Sequence, residues 1–296
     1  MSTRSCAAWQ PQRWRLNTAF TIVELLVVMA IIGVLIGLLV PGLSMVRRQA
    51  LANKSQNNLK QWGAGTLAYA NSQDERLPWE GKLNPVDMPT NMANPAWWAN
   101  AVGPLVGAGA YKDLSERAFQ DGTPVPFADG ESIFIDPAAQ PENPEPYSYQ
   151  GQGPGGLPHQ WYFNYVPNTA LNNTLTAGAA NDDYAPDKII RLGNLHRPEV
   201  TVLMLEMRAN ASEVNKNDPY RTLDLTRQGA DWKRFAGRHF RGGHMVFGDG
   251  HVGWILNDEA TTNSKGSRDP AYPNGDWNVS KIVWDPLGPA LYNAND

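Results

Sequence analysis

The sequence is poor in cysteine: Cys6 is the single one among 296 residues. One cysteine cannot form a disulfide within the chain, and it cannot supply the several thiolates of a structural zinc site. An excess of positive charge is missing as well, since 25 lysines and arginines stand against 29 acidic residues and the net charge is −4. A chain without a basic field attracts nucleic acid weakly, so we expect no nucleic-acid partner.

Signatures of common catalytic sites are also absent from the sequence. There is no G-x-S-x-G elbow for a nucleophilic serine, and the glycine-rich residues 151–156 lack the lysine of a phosphate-binding loop. Acids such as Asp182, Asp183 and Glu206 leave glycoside hydrolysis open, because sequence alone does not show which acids meet in space. Since no pattern positively indicates an enzyme or a cofactor, we expect neither.

Apolar residues, by contrast, form one long run near the N-terminus. Residues 20–40 read FTIVELLVVMAIIGVLIGLLV, and as a helix this segment is about 31 Å long, close to the ~30 Å hydrocarbon core of a bilayer. Residues 25–40 have no polar face, which argues against the buried core helix of a soluble protein. A secretory signal peptide is the other alternative, but its apolar core is usually shorter and ends at a cleavage site. The segment therefore predicts a membrane anchor.

Glu24 is the one charged residue inside this apolar run. A carboxylate there costs on the order of 2–3 kcal/mol toward the helix centre and less near an end, so it needs a partner or a function. One interpretation is a carboxylate that merely reaches the membrane interface. The other interpretation is an ion pair within an assembly of helices.

The residues around Glu24 favour the second interpretation. Residues 19–26, AFTIVELL, follow a leader with arginines and resemble the processing site of type IV prepilins and type II secretion pseudopilins. The resemblance implies that a prepilin peptidase cuts between Ala19 and Phe20 and methylates the new amine of Phe20. It places Glu24 at the fifth mature position, and Pro41 matches the proline that kinks the helix of many members. Most members have glycine before the cut, where this chain has Ala19.

A physical reason for this pattern can be given. The methylated amine of Phe20 keeps its positive charge, and Glu24, four residues further along, lies on the same side of the helix. In a bundle of helices the carboxylate can pair with the amine of its own chain or of a neighbour, which compensates both charges and sets the register. The expected partners are therefore the prepilin peptidase and other pilin-like subunits or copies of this chain.

Two further segments resemble a large bacterial pseudopilin-like group. Residues 56–61, QNNLKQ, are similar to its N-terminal NLKQ stretch, and His239 precedes Asp249-Gly250 by the spacing of its C-terminal H-X9-DG signature. The resemblance covers roughly residues 15–80 and 230–257. It assigns no function to residues between them.

The predicted fold is of the α+β class, with a long N-terminal helix packed on an antiparallel sheet and long Pro/Gly-rich loops. The predicted parts are a basic leader (1–19), a transmembrane helix (20–40), a stalk helix (41–72) and an extracytoplasmic head (73–296). Alternating apolar residues around Gly248-Asp249-Gly250 predict a hairpin within residues 239–256, with positive φ angles in its turn. Further strand candidates are 160–166, 201–206 and 280–284, and the proline-rich stretch 121–158 is predicted to form loops.

Two sets of side chains could bind a ligand. His239, His244, Asp249 and His251 carry groups that bind transition metals, but the turn role of Asp249 favours surface histidines, and we expect no metal. Tryptophans could stack on carbohydrate or fill the core, and core and loop packing is favoured for Trp97, Trp98, Trp161 and Trp277.

Two classes of function remain open at this point. The first is a pilin-like or pseudopilin-like subunit of a type II secretion or type IV pilus related assembly. The second is a membrane-tethered protein whose head binds polysaccharide or another extracellular ligand, and which uses the prepilin signal only for export. In both, the N-terminus is cytoplasmic because Arg4, Arg13 and Arg15 precede the anchor, and the head lies on the periplasmic or extracellular side of a bacterial cytoplasmic membrane.

Overall fold

A computed structural model of the protein describes residues 21–82, 88–121, 132–139, 147–149, 159–161, 163–171, 184–223, 225, 228–269, 271 and 274–286. The helices are α1 Ile22–Ser72, α2 Met88–Ala93, α3 Trp98–Ala101, α4 Tyr111–Asp121 and α5 Asn257–Ala260. The strands are β1 Tyr147–Tyr149, β2 His159–Trp161, β3 Tyr165–Pro167, β4 Val202–Glu206, β5 Gly242–Phe247 and β6 Val252–Leu256. Helices and antiparallel strands together confirm the predicted α+β class. The leader and most of the proline-rich stretch 121–158 lie outside the described residues.

The chain divides into two compact units, Met1–Arg47 and Arg48–Asp296. In the first unit all residues from 21 to 47 are exposed, including long apolar side chains such as Leu38 and Leu43. Helix α1 continues on both sides of Pro41. Among the described residues it is the one helix whose length and apolar composition would let it cross a membrane.

The second unit is built on an antiparallel sheet of four strands in the order β3-β4-β5-β6. Every residue of β4 and β5 is buried, so these strands lack a solvent face. The predicted strand at 201–206 and the predicted hairpin are confirmed as β4 and β5–β6. The segment 160–166 instead divides between β2 and β3, and 280–284 forms isolated bridges rather than a strand.

The part of α1 that belongs to the second unit packs on this sheet. Leu59, Trp62 and Ala70 are buried and recur at helical spacing, so they lie along one face. Gly63 lies on the same side, where an added Cβ would stand 2.8 Å from Cγ1 of Val246 on β5. Glycine thus lets the helix approach the sheet closely.

Tryptophans fill the core of the second unit. Trp97, Trp98 and Trp277 are at most 1% exposed, which confirms the prediction of core packing for these three. The side chain of Trp161 lies outside the description. Trp98 packs edge to face on Trp97 and Phe163, with ring centroids 5.9 and 5.0 Å apart, a geometry that stabilises aromatic pairs.

A tight turn at Phe240 and Arg241 leads into β5. Both residues have positive φ angles, 56° and 68°, and His239 and Gly242 exchange backbone hydrogen bonds of 3.0 and 3.1 Å across them. Two successive positive φ angles define a type I′ turn, for which Asn-Gly is the preferred pair. A residue with a Cβ loses about 1–2 kcal/mol in this conformation.

The double substitution Phe240→Asn, Arg241→Gly should therefore raise the free energy of unfolding by about 1 kcal/mol, because the new pair suits the turn. In a thermal melt we expect Tm to rise by roughly 2–4 °C. Phe240→Leu, which keeps an apolar side chain and the same φ requirement, should give no rise. A lower Tm for the double variant would argue against this account of the turn.

Candidate functional site

Helix α1 begins with reciprocal hydrogen bonds between Thr21 and Glu24. The backbone N–H and the hydroxyl of Thr21 donate to Oε2 of Glu24 at 2.9 and 2.8 Å, and the backbone N–H of Glu24 donates to Oγ1 of Thr21 at 3.2 Å. This arrangement is a capping box, which satisfies N–H groups that the first turn leaves free. Sequence reasoning missed it, although the four residues from Thr21 to Glu24 carry the Thr-x-x-Glu signature.

The carboxylate of Glu24 thus accepts hydrogen bonds from Thr21, the residue that follows Phe20 in the sequence. A carboxylate accepts up to about four hydrogen bonds, so the cap leaves capacity for a further donor. Ala19 and Phe20 lie outside the described residues. The assembly roles predicted for Phe20, Glu24 and Pro41 remain predictions.

A second candidate site is a cluster of buried polar side chains in the second unit. The pairing of β3 with β4 sets Tyr165 opposite Glu206, and the pairing of β4 with β5 brings Glu206 next to His244. His239 enters from the turn before β5. The side chains of Glu206, His239 and His244 are 0%, 2% and 7% exposed. The register of β4 and β5 and the turn before β5 together place these three side chains in the interior.

The carboxylate of Glu206 lies at the centre of this cluster. Its Oε1 accepts a hydrogen bond of 2.5 Å from Ser55 of α1 and lies 2.8 Å from Nδ1 of His244. Nε2 of His239 is 3.7 Å from the same oxygen. The backbone N–H of His244 donates to Oε2 at 3.0 Å, which fixes the orientation of the carboxylate.

Asp136 forms the second acidic centre. Its Oδ2 lies 2.8 Å from Nη1 of Arg238 and 2.8 Å from Nε2 of His239. Burial raises the pKa of the Asp136 carboxyl, but the Arg238 guanidinium and the His239 ring outweigh burial and hold the pKa well below its usual range. Arg238 also binds Glu213, with Nε 3.2 Å from Oε2, so one guanidinium bridges two buried acids.

The same contacts shift the pKa values of His239 and Tyr165. Burial lowers the pKa of His239, but the hydrogen bond to Asp136 and the charge of Glu206 raise it overall. Burial, together with the charges of Asp136 and Glu206, raises the pKa of Tyr165 well above its ordinary value. Both carboxylate side chains are 0% exposed, so a substrate has no access to these acids in this conformation.

The structure corrects the predicted histidine constellation. His239 and His244 are buried, so the prediction that they lie on the surface was wrong. Asp249 and His251 lie in the exposed turn after β5 and contact each other, with Nδ1 of His251 2.6 Å from Oδ1 of Asp249. The cluster instead contains Glu206 and Asp136, because strand register decides which side chains meet.

The hairpin gives a physical reason for the spacing between His239 and Asp249-Gly250. Two turn residues follow His239, then the six residues of β5 and Gly248, so the motif spans β5 from one turn to the next. Gly250 has a φ of 89°, whereas Gly248 and Asp249 lack the positive φ that we predicted for them. An added Cβ on Gly250 would stand 2.6 Å from Cδ1 of Leu67 on α1, so glycine also permits close packing there.

Comparison with known proteins adds information on the N-terminal segment. Residues 14–40 match the prokaryotic N-terminal methylation motif, a range that includes Ala19, Phe20 and Glu24. No curated protein and no solved structure matches the chain. The chain thus carries a prepilin-type signal, and this signal together with one N-terminal apolar helix fits a single-pass membrane protein.

Proposed function

We propose that this protein is a pilin-like or pseudopilin-like structural subunit of an assembly related to type II secretion systems or type IV pili. A prepilin peptidase cuts between Ala19 and Phe20 and methylates the new amine, and the mature helix then anchors the subunit. The observation that carries the proposal is the prepilin-type signal at residues 14–40.

The first unit supports this role through its surface. Apolar side chains such as Val34, Leu38 and Leu43 are 64–73% exposed in the isolated chain. Lipid or the helices of neighbouring subunits can cover these side chains, and van der Waals packing drives association within a bilayer. Glu24 and the Phe20 amine of a neighbour would then form the polar contact that sets the register. The arginines of the leader favour a cytoplasmic N-terminus and a head on the other side of the membrane.

The alternative function, a tethered protein that binds polysaccharide, has less support. It rested on four tryptophans that could form a stacking face. Of these, Trp97, Trp98 and Trp277 are buried in the core of the second unit, and the side chain of Trp161 lies outside the described residues. Buried indole rings offer no surface to a sugar. The assembly experiment below distinguishes this function from that of a subunit.

Processing is the first consequence of the proposal. When the chain is coexpressed with a prepilin peptidase, mass spectrometry of the membrane fraction should show a mature N-terminus at Phe20 with one added methyl group. Phe20 opens the apolar run, and methylation leaves its charge unchanged. A mature start near residue 42, as a signal peptidase could leave, would contradict the proposal.

Assembly can be measured by cysteine cross-linking. Cys6 lies in the predicted leader, so the mature chain contains no cysteine of its own, and a single Leu26→Cys substitution reports only contacts of the apolar helix. If the protein is an assembly subunit, chains with Leu26→Cys should form disulfide-linked dimers in membranes under mild oxidation. Leu105→Cys, at an exposed position of the second unit, is the control for random collision. Dimers no more abundant than in this control would favour the tethered binding protein.

A further inference from the structure

The buried cluster of Glu206, His239 and His244 has a feature beyond the proposed assembly function. One ligand atom from each of the three side chains lies within 4.8 Å of the other two. Two imidazoles and one carboxylate are a common ligand set for divalent first-row transition metals, zinc in particular. We propose that this cluster is a binding site for such a metal ion.

The distances suit a metal ion at the centre of the three ligand atoms. In a tetrahedral zinc site with bonds of about 2.0–2.2 Å, ligand atoms stand about 3.4 Å apart. Oε1 of Glu206 lies 2.8 Å from Nδ1 of His244 and 3.7 Å from Nε2 of His239. These separations lie on either side of the tetrahedral value, and the ligand atoms of the two imidazoles lie within 4.8 Å of each other. Metal binding would therefore require side-chain rotations that lengthen the first separation and shorten the others.

The orientation of the imidazoles agrees with a shared metal. Two imidazoles bound to one tetrahedral ion have ring centroids about 5 Å apart, and those of His239 and His244 are 5.4 Å apart with the rings tilted by 53°. A further carboxylate oxygen, Oδ2 of Asp136, lies 2.8 Å from Nε2 of His239. A metal on Nε2 of His239 would replace the proton between these two atoms, and Oδ2 of Asp136, which also pairs with Arg238, could then act as a fourth ligand.

The surroundings of the site hold its ligands in place. Glu206 and His244 belong to adjacent buried strands, and the backbone N–H of His244 fixes Oε2 of Glu206 so that Oε1 faces the imidazoles. Ser55 of α1 donates to the same Oε1 at 2.5 Å. Hydrogen bonds of this kind orient metal ligands in proteins. Because a buried carboxylate is costly without a counter-charge, a divalent cation would also stabilise Glu206 with both imidazoles neutral.

Zinc binding by the full chain in detergent micelles tests the proposal. After dialysis against a chelator and equilibration with micromolar zinc, elemental analysis should find about one zinc per wild-type chain, and Tm should rise by roughly 5 °C or more. His239→Gln and His244→Gln should each weaken zinc binding about 100-fold or more. His251→Gln, which removes an exposed imidazole outside the cluster, should bind zinc as the wild type does.

A second readout does not depend on the folding of any variant. Cobalt(II) added to the wild-type chain should give the intense visible absorption of a four-coordinate site, and zinc should remove it. Wild-type protein that retains less than about a tenth of a zinc per chain, with no rise in Tm, would overturn the proposal. Folded His239→Gln protein that binds zinc like the wild type would also overturn it, and the cluster would then be a hydrogen-bonded network alone.

Discussion

Glu24→Leu should be inserted and processed normally, yet the Leu26→Cys cross-link should fall at least about 100-fold in this background. The substitution makes the helix more apolar, so insertion should improve, but in the proposed assembly it would leave the Phe20 amine of each subunit without its counter-charge. Loss of one partner of a buried ion pair costs about 3–5 kcal/mol per contact, and every 1.4 kcal/mol changes an equilibrium about tenfold. The measurement is the ratio of dimer to monomer in membranes.

The capping box makes matched controls possible. Glu24→Gln preserves the cap, since glutamine also serves at this position, but it removes the charge. If ion pairing drives assembly, Glu24→Gln should lose the cross-link as Glu24→Leu does. Thr21→Val removes the capping hydroxyl and keeps the carboxylate, so it should assemble with a loss of only about 1 kcal/mol. Wild-type cross-linking by Glu24→Gln would show that Glu24 acts as a helix cap and not in assembly.

Arg238→Met should lower the free energy of unfolding by about 3–5 kcal/mol. The side chain of Arg238 is 5% exposed, and its guanidinium bridges Asp136 and Glu213, whose side chains are 0% and 7% exposed. The guanidinium also donates to the carbonyl oxygen of Met207. Methionine fills a similar volume but leaves two buried carboxylates without this cation. The effect should appear in a thermal or denaturant melt of the full chain in detergent micelles.

Arg241→Met is the control for this experiment, since it makes the same chemical change three residues further along. The side chain of Arg241 is 80% exposed and pairs with Asp258 at 3.2 Å, and such surface pairs contribute about 0–1 kcal/mol. We therefore expect Arg241→Met to melt close to the wild type. Equal stabilities of the two variants would mean that the buried bridge contributes little.

The part of the fold that could be predicted from sequence depends on neighbours along the chain. A local pattern of side chains predicts the apolar helix, the hairpin within residues 239–256 and the strand at 201–206. The prepilin-type signal is equally local, since it lies within residues 14–40. The capping box at Thr21 and Glu24 is equally local, since its Thr-x-x-Glu signature lies within four consecutive residues.

The buried cluster could not be predicted in this way. The hydrogen bond between Ser55 and Glu206 joins residues 151 positions apart, and the contact between Asp136 and His239 joins residues 103 positions apart. Sequence alone grouped His239 with Asp249 and His251, which are close along the chain but lie in or beyond the next turn. Proximity in sequence was a poor guide because β5 separates the two turns.

The sequence by itself thus identified the apolar segment, the prepilin-type signal and the α+β class, because composition and periodicity set these properties within short segments. Only the tertiary structure decided which polar side chains share the interior. That choice depends on the order and register of β3, β4 and β5 and on the closeness with which α1 packs on them at Gly63. These are long-range properties, since a shift of one residue in register would turn Glu206 away from His244.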